Sequence, residues 1–398
     1  MVTARADMTH AYWGFSRAHK TYEITFSPMP YVPGEVPDIP SSTRKRLGSL
    51  FIGVDVHKDT HTAVGVSALG ERLFEVKIGN DDRAFKKLTE TVSEKRGVLS
   101  PFYGLEDCHG YGERLAEYLS LAGHRVIHVP SILVDRARQN ATHPEKSDSL
   151  DALGVAEVMI RKIDTLPVYT LSEDSKRAKQ IKEISLDREY LVTERTRLKN
   201  HLHVLLHRVW NTGYREKFKD PFSMKALKYW GQSRISCDDF LRRMLRRKVR
   251  RLLAINAEVR DLEKELTTLL DESGYTIQTA SGCGPVVAAV IVGEVGDIAR
   301  FHSPGALAKY AGCAPRELSS GKHQRHVKTR ARNRRLNSAF HQMAVSQISR
   351  MGNDKAREYF RKKVSEGKSK SQALVCLRRH LVNVIWCMMS RREVYRTA

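Results

Sequence analysis

Five short runs of β-forming residues, broken by helical stretches in one fixed order, constrain residues 49–163 more than any other feature of this chain. Phe51-Ile52-Gly53-Val54-Asp55-Val56 is apolar and ends in charge. Residues 60–66 form a second run, and Ala68-Leu69-Gly70-Glu71 separates it from a third. In that third run Phe74, Val76 and Ile78 alternate with Glu75 and Lys77, the period of two that marks a half-buried strand. Tight turns between the three predict an antiparallel meander. A helix is expected over 82–95, where Phe85, Leu88 and Val92 recur at helical spacing. Phe102-Tyr103-Gly104-Leu105-Glu106 reads as a fourth strand, 111–121 as a helix and His124-Arg125-Val126-Ile127-His128-Val129 as a fifth strand. A further helix is expected to open at Asp148 and run through residue 160.

A meander followed by alternating helix and strand is the element order of an α/β ribonuclease-H-like fold, expected here over 49–163. Residues 164–273 carry a different pattern. Ile184, Leu191, Leu198, Leu202, Leu205 and Val209 recur at steps of seven, four and three, and Leu245, Val249, Leu252, Val259, Leu262, Leu266 and Leu269 do much the same. Such a/d seams predict two long helices in a helical, coiled-coil arm, joined by a loop over 211–236 that holds Gly213, Pro221 and Gly231. Residues 274–398 are expected to form a mainly α domain. Its Gly282-Cys283-Gly284 turn before an apolar helix exposes backbone N–H groups to an anion and resembles the hairpin of helix-hairpin-helix modules. A tight turn between two packed helices accounts for it about as well. Residues 369–398 read as a packed helix. Residues 1–48, with five prolines between Pro28 and Pro40, are expected to be a disordered tail.

Composition narrows the function. Lys and Arg number 68 against 45 Asp and Glu, a formal charge of +23, which favours a polyanionic partner, most simply nucleic acid. Arg242, Arg243, Arg246, Arg247, Lys248, Arg250 and Arg251, with Arg195, Arg197 and Lys199, make the arm a candidate for phosphate contact. A solvated helix flank is the usual fate of such a run, but acidic partners are scarce within it. Six scattered cysteines without a CxxC pair argue against a zinc site or a disulfide scaffold and fit a reducing cytosol. No stretch approaches the ~20 apolar residues of a membrane span. The first twenty residues have no apolar run and do not read as a secretory signal. A cytoplasmic, nucleoid-associated location is expected, with no membrane partner.

Four carboxylates stand out by placement. Asp55 lies inside the first strand, where an unpartnered acid is costly. Glu106 ends the fourth strand, and Asp148 and Asp151 lie three apart at a helix start, on one face. Singly, each has an ordinary use: Asp148 as a helix N-cap, Glu106 beside an arginine. In a ribonuclease-H-like sheet the first and fourth strands are neighbours and a later helix crosses beside them, so the four acids converge. Without matching Lys or Arg they would repel one another unless hard divalent cations such as Mg²⁺ sat among them. His57, His61 and His109 flank these acids, and His57 has the chemistry to orient a phosphate. Asp107 should point to the opposite face from Glu106. A second cluster, Ser319-Ser320-Gly321-Lys322 followed by Arg325, Lys328, Arg330, Arg332, Arg334 and Arg335, places a serine in a basic loop suited to a nucleophile. The residues alone favour an ordinary Ser-Ser-Gly turn ahead of a nucleic-acid-binding arm. No Gly-x-x-x-x-Gly-Lys-Ser/Thr run supports ATP chemistry.

Three blocks, Gly53-Val54-Asp55-Val56-His57-Lys58, Gly104-Leu105-Glu106-Asp107-Cys108-His109-Gly110-Tyr111-Gly112 and Lys146-Ser147-Asp148-Ser149-Leu150-Asp151-Ala152, resemble those of the DEDD, RuvC-like insertion-sequence transposases related to the pilin-gene invertases. Gly282-Cys283-Gly284-Pro285, Gly296-Asp297, Tyr310-Ala311-Gly312-Cys313-Ala314-Pro315-Arg316 and Ser319-Ser320-Gly321 agree with the family's second domain in kind and order. The resemblance covers about residues 49 to 350. It implies a tetrad of Asp55, Glu106, Asp148 and Asp151 holding Mg²⁺, and a serine nucleophile directly before glycine, Ser320, with Ser319 as its neighbour. It further implies an element-encoded bridge RNA pairing with donor and target DNA, a phosphoserine link during strand exchange, and a dimer or tetramer. In that assembly the acids of one subunit meet the serine domain of another. The proline-rich tail and the irregular 211–236 segment depart from the family pattern. The rival readings are a RuvC-like junction nuclease that uses water, and a non-catalytic nucleic-acid-binding protein.

Overall fold

The computed structural model describes residues 47–139, 147–232, 237–314, 316–320, 323–327 and 332–395. The expected tail, all but its last two residues, lies outside them, as do Lys322, Lys328 and Arg330.

The first unit is a five-stranded sheet in the order β3-β2-β1-β4-β5. Its strands are β1 Ser49–Val56, β2 Thr60–Ser67, β3 Arg72–Gly79, β4 Ser100–Leu105 and β5 Arg125–His128. The first three form the expected antiparallel meander, while β4 and β5 join β1 in parallel. Alternation along β1 gives each face its own core. Leu50, Ile52 and Val54 pack under helices α1 (Asp82–Lys95) and α2 (Glu113–Leu121) through Phe85, Leu88, Leu115 and Leu119. Phe51, with Val64 and Phe102, packs under α3 (Ser131–Gln139) and α4 (Asp148–Lys162) through Val134, Val155 and Met159. Helix α2 starts two residues later than expected. The Asp107 carboxylate accepts the backbone N–H groups of His109 and Tyr111 at 3.0 and 3.2 Å and fixes those residues in a turn instead.

Two glycines set how closely α4 lies on the sheet. Gly53 and Gly104 are register partners on β1 and β4, on the α4 face. A Cβ at Gly53 would stand 2.0 Å from the Ala152 carbonyl oxygen, and one at Gly104 would stand 2.5 Å from the Met159 sulfur. At Gly53 the helix backbone rests directly on the strand, whereas over Gly104 the Met159 and Val155 side chains fill the gap.

Two long helices follow, α5 (Glu173–Trp210) and α8 (Asp239–Glu272). They run antiparallel: the Arg188 guanidinium reaches Glu263 at 2.8 Å, and Arg251 meets Glu194 at 3.0 and 3.1 Å. Leu191, Leu198, Leu202 and Leu205 face Leu245, Val249, Leu252 and Val259, as the seams predicted. The expected 211–236 loop is instead partly helical, with α6 (Gly213–Lys217) and α7 (Met224–Trp230). Tyr214, Leu227 and Trp230 are buried there, Trp230 donating its indole N–H to the Pro221 carbonyl at 2.9 Å. These apolar side chains close the open end of the helix pair, a demand the Gly and Pro punctuation concealed.

The last unit contains α9 (Pro285–Val295), α10 (Pro304–Tyr310), an antiparallel pair β6 (Arg316–Ser320) and β7 (His323–Val327), then α11 (Arg334–Ile348), α12 (Asp354–Ser365) and α13 (Lys370–Arg391). Its core includes Ala178, Ile181, Leu266 and Leu270 from the two long helices. Glu294 of α9, buried, accepts from Arg335 and Asn333 at 2.6 Å each and lies 3.7 Å from Lys182. A buried carboxylate is tolerable there because cations and an amide surround it, and it ties α5, α9 and α11 together. The Ser319-Ser320 dipeptide expected in a loop lies on β6, with Ser320 paired to His323. Contrary to the sequence expectation, α13 is long and apolar enough, by length and composition, to cross a membrane. It serves as a core helix: Leu377, Leu381, Val382 and Ile385 are buried, and Arg378 donates to Asn337 at 3.2 Å.

Candidate functional site

Asp55 is 6 % exposed and shares the α4 face of β1 with Gly53. The N-terminus of α4 therefore lies over it. Ser147, not Asp148, caps that helix, its hydroxyl accepting the Leu150 N–H at 3.2 Å. Asp148 and Asp151 are left in the first turn, where the helix dipole favours negative charge.

The junction of strand and helix carries the site. His57 Nε2 lies 3.1 Å from Asp55 Oδ2 and 3.3 Å from Asp148 Oδ1, and the three donor atoms all lie within 4.8 Å of one another. Lys77 Nζ donates to Asp148 Oδ2 at 3.2 Å. Those hydrogen bonds, Lys77 first and His57 next, hold the Asp148 carboxyl below its usual range. Glu106, half-buried just past β4, behaves oppositely. Burial pushes its carboxyl up, and the negative charges of Asp55 and Asp151 add to the push, while a hydrogen bond from Ser131 and the charge of Arg138 oppose it. Asp151, buried, accepts from Arg138 Nη1 at 2.9 Å. Asp148 and Asp55 meet at His57, while Glu106 and Asp151 stand outside that three-residue group, Glu106 feeling the charges of Asp55 and Asp151.

One sequence premise is corrected. The acids do have matching cations, Lys77 and Arg138. Lys77 stands in the same cross-strand row as Asp55, through Thr62. What read as the solvent side of β3 is the rim of the site. Of the three flanking histidines only His57 joins. The His61 ring is buried on the opposite face against Phe85, and His109 packs near His128 and Tyr169. Asp107 is spent on its own turn. An oxygen-rich donor set with one imidazole, at the mouth of a sheet and a helix N-terminus, fits a divalent cation.

Two transposase family models match the chain. The DEDD transposase model of IS110 elements matches residues 52–211, and that of the transposase IS116/IS110/IS902 family matches residues 274–361. The chain belongs to the IS116/IS110/IS902 transposase family. It is 28 % identical over 403 residues to the 44.8 kDa protein of insertion element IS116 from Streptomyces clavuligerus, covering 89 % of this chain and 98 % of that one. It is 22 % identical to the transposase of insertion sequence element IS1111A from Coxiella burnetii, over 87 % and 91 % of the two chains. The pilin gene-inverting protein of Moraxella bovis is 21 % identical over 88 % of this chain and 98 % of its own. The enzyme is therefore a transposase of an insertion sequence, acting in DNA transposition.

The transposase places its other candidate residues unevenly. On α8, Arg243, Arg246, Arg247 and Arg250 are exposed, while Lys248 is half-buried. Arg242 is committed to the helix start, donating to the Cys237 carbonyl at 2.8 Å and pairing with Asp239. Arg251 has the acidic partner Glu194, which the linear sequence hid. Gly282 has φ +75°, and a Cβ there would stand 2.9 Å from the Met343 carbonyl oxygen, so its first duty is close packing on α11. Gly284 is the N-cap of α9, preceded by a three-residue 3-10 turn, Ile277–Thr279. Ser320 and Arg325 lie on β6 and β7.

Proposed function

We propose that this transposase cuts and rejoins donor and target DNA with Asp55, Glu106, Asp148 and Asp151 gathered around Mg²⁺ and with Ser320 as nucleophile. The supporting observation is the convergence of Asp55, His57 and Asp148 at one strand–helix junction, with the charges of Asp55 and Asp151 acting on Glu106. When bound, the cation neutralises charge developing on a phosphodiester. The residues do the remainder. The paired acids of β1 and α4 would hold that cation, and Ser320 Oγ attacks phosphorus as a deoxyribose oxygen leaves with the serine proton, holding the strand as a phosphoserine. A bridge RNA encoded by the element pairs with both DNAs, the exposed arginines of α8 grip nucleic-acid phosphates, and a dimer or tetramer brings the acids of one subunit to the serine of another.

The test incubates DNA and guide RNA with Mg²⁺ and looks for a covalent protein–DNA adduct in the wild type, Ser320→Ala and Asp55→Ala. An adduct lost in Ser320→Ala supports the reading. An adduct that persists there moves the nucleophile to Ser319 or elsewhere. Cleavage without adduct identifies a water-using nuclease, and binding without cleavage a passive binder.

A further inference from the structure

The position of His57 carries an inference about which cation the site takes. The backbone N–H of His57 donates to the Thr60 carbonyl at 3.1 Å, which closes the turn after β1 and fixes the residue beside Asp55. The ring is 51 % exposed, open to an entering ion, and its Nε2 faces two carboxylate oxygens at 3.1 and 3.3 Å. Adjacent ligands of one octahedral ion, each about 2.1–2.2 Å from it, stand roughly 3.0–3.1 Å apart. The 3.1 Å separation to Asp55 matches that edge, and the 3.3 Å separation to Asp148 exceeds it by about 0.2 Å. Lys77, on Asp148 Oδ2, leaves Oδ1 turned toward the imidazole. A ring nitrogen carries at most one proton, so hydrogen bonding gives two carboxylates only a shared donor.

We propose that His57 Nε2 is a direct ligand of the cation held by Asp55 and Asp148, and that it biases the site toward Co²⁺ and Mn²⁺ over Mg²⁺. The inference rests on reading the acid array as a cation site. Imidazole nitrogen is a borderline donor that suits transition metals, and affinity at such sites rises from Mn²⁺ to Co²⁺, whereas Mg²⁺ keeps to oxygen.

The test measures binding of Mn²⁺, Co²⁺ and Mg²⁺ to the full chain without nucleic acid, in the wild type, His57→Ala and Asp55→Asn. Electron spin-echo spectra of the Mn²⁺ form supply a second readout. The expected result is a directly bonded nitrogen coupling in the wild type, absent from His57→Ala. With it should come a Co²⁺ affinity loss of about tenfold or more in His57→Ala, against a far smaller loss for Mg²⁺. No nitrogen coupling in the wild type, or equal losses for all three ions, overturns the role of His57. If Asp55→Asn still abolishes binding in that case, the acid array stands without its imidazole. If Asp55→Asn binds all three ions as well as the wild type, the cation-site reading falls, and this inference with it.

Discussion

Glu106 is an acid held at a cost to folding. Its folded pKa lies above the ordinary 4.5, so the folded protein binds that proton more tightly than the unfolded chain does. The contribution favours folding below 4.5 and is lost as pH rises through the folded value. Glu106→Gln should therefore melt higher than the wild type at pH 7 in EDTA, and the difference should vanish near pH 4. A difference that grows on acidification would mean that burial does not dominate at this carboxyl. The same substitution should abolish strand cleavage, because the neutral amide is a poor cation ligand. All four acids were legible as candidates because strand ends and helix starts are local features. The counter-ions were not: Lys77 reaches Asp148 through a register spanning three strands, and Arg138 sits on a helix the sequence pattern did not announce.

At the scale of elements, the packing of α4 on β1 and β4 is the most brittle. Gly53→Ala forces a methyl against a backbone carbonyl that has nowhere to go, and should cost about 3 kcal/mol in urea unfolding. If Gly53→Ala is stable, the helix is free to lift. In the long helix pair the ordering reverses intuition about charge. Leu252→Ala should cost ~2–5 kcal/mol. Glu263→Ala, which removes the half-exposed partner of Arg188, should cost less than about 1 kcal/mol. Unfolding midpoints of the two variants decide it. The heptad-like seams made this pair readable. The helices α6 and α7 were not, because their stability comes from capping the pair's aromatic end rather than from any period of their own.

For the whole molecule the excess of positive charge is the governing quantity. Affinity for DNA or RNA should fall steeply with salt. Replacing the exposed Arg243, Arg246, Arg247 and Arg250 by Ala should lower the slope of log affinity against log salt by roughly 0.7–0.9 for each phosphate left without its arginine. An unchanged slope would remove α8 from the nucleic-acid surface. Changes of period divide the sequence into an expected sheet unit, helix pair and helical unit. The weld between the last two was hidden, because Glu294, Lys182 and Arg335 come from three distant stretches.

Gly53, beneath α4, has a consequence for how such an enzyme can change. Core side chains can be exchanged for others of similar bulk, and neighbouring layers then shuffle by fractions of an ångström. At Gly53 the gauge between strand-borne and helix-borne carboxylates is struck from main chain to main chain, with no exchangeable group in the gap. Divergent copies of this transposon-encoded catalyst can thus exchange hydrophobic side chains around the pocket and still inherit its spacing, provided that a hydrogen atom stays at residue 53 where a methyl would not fit.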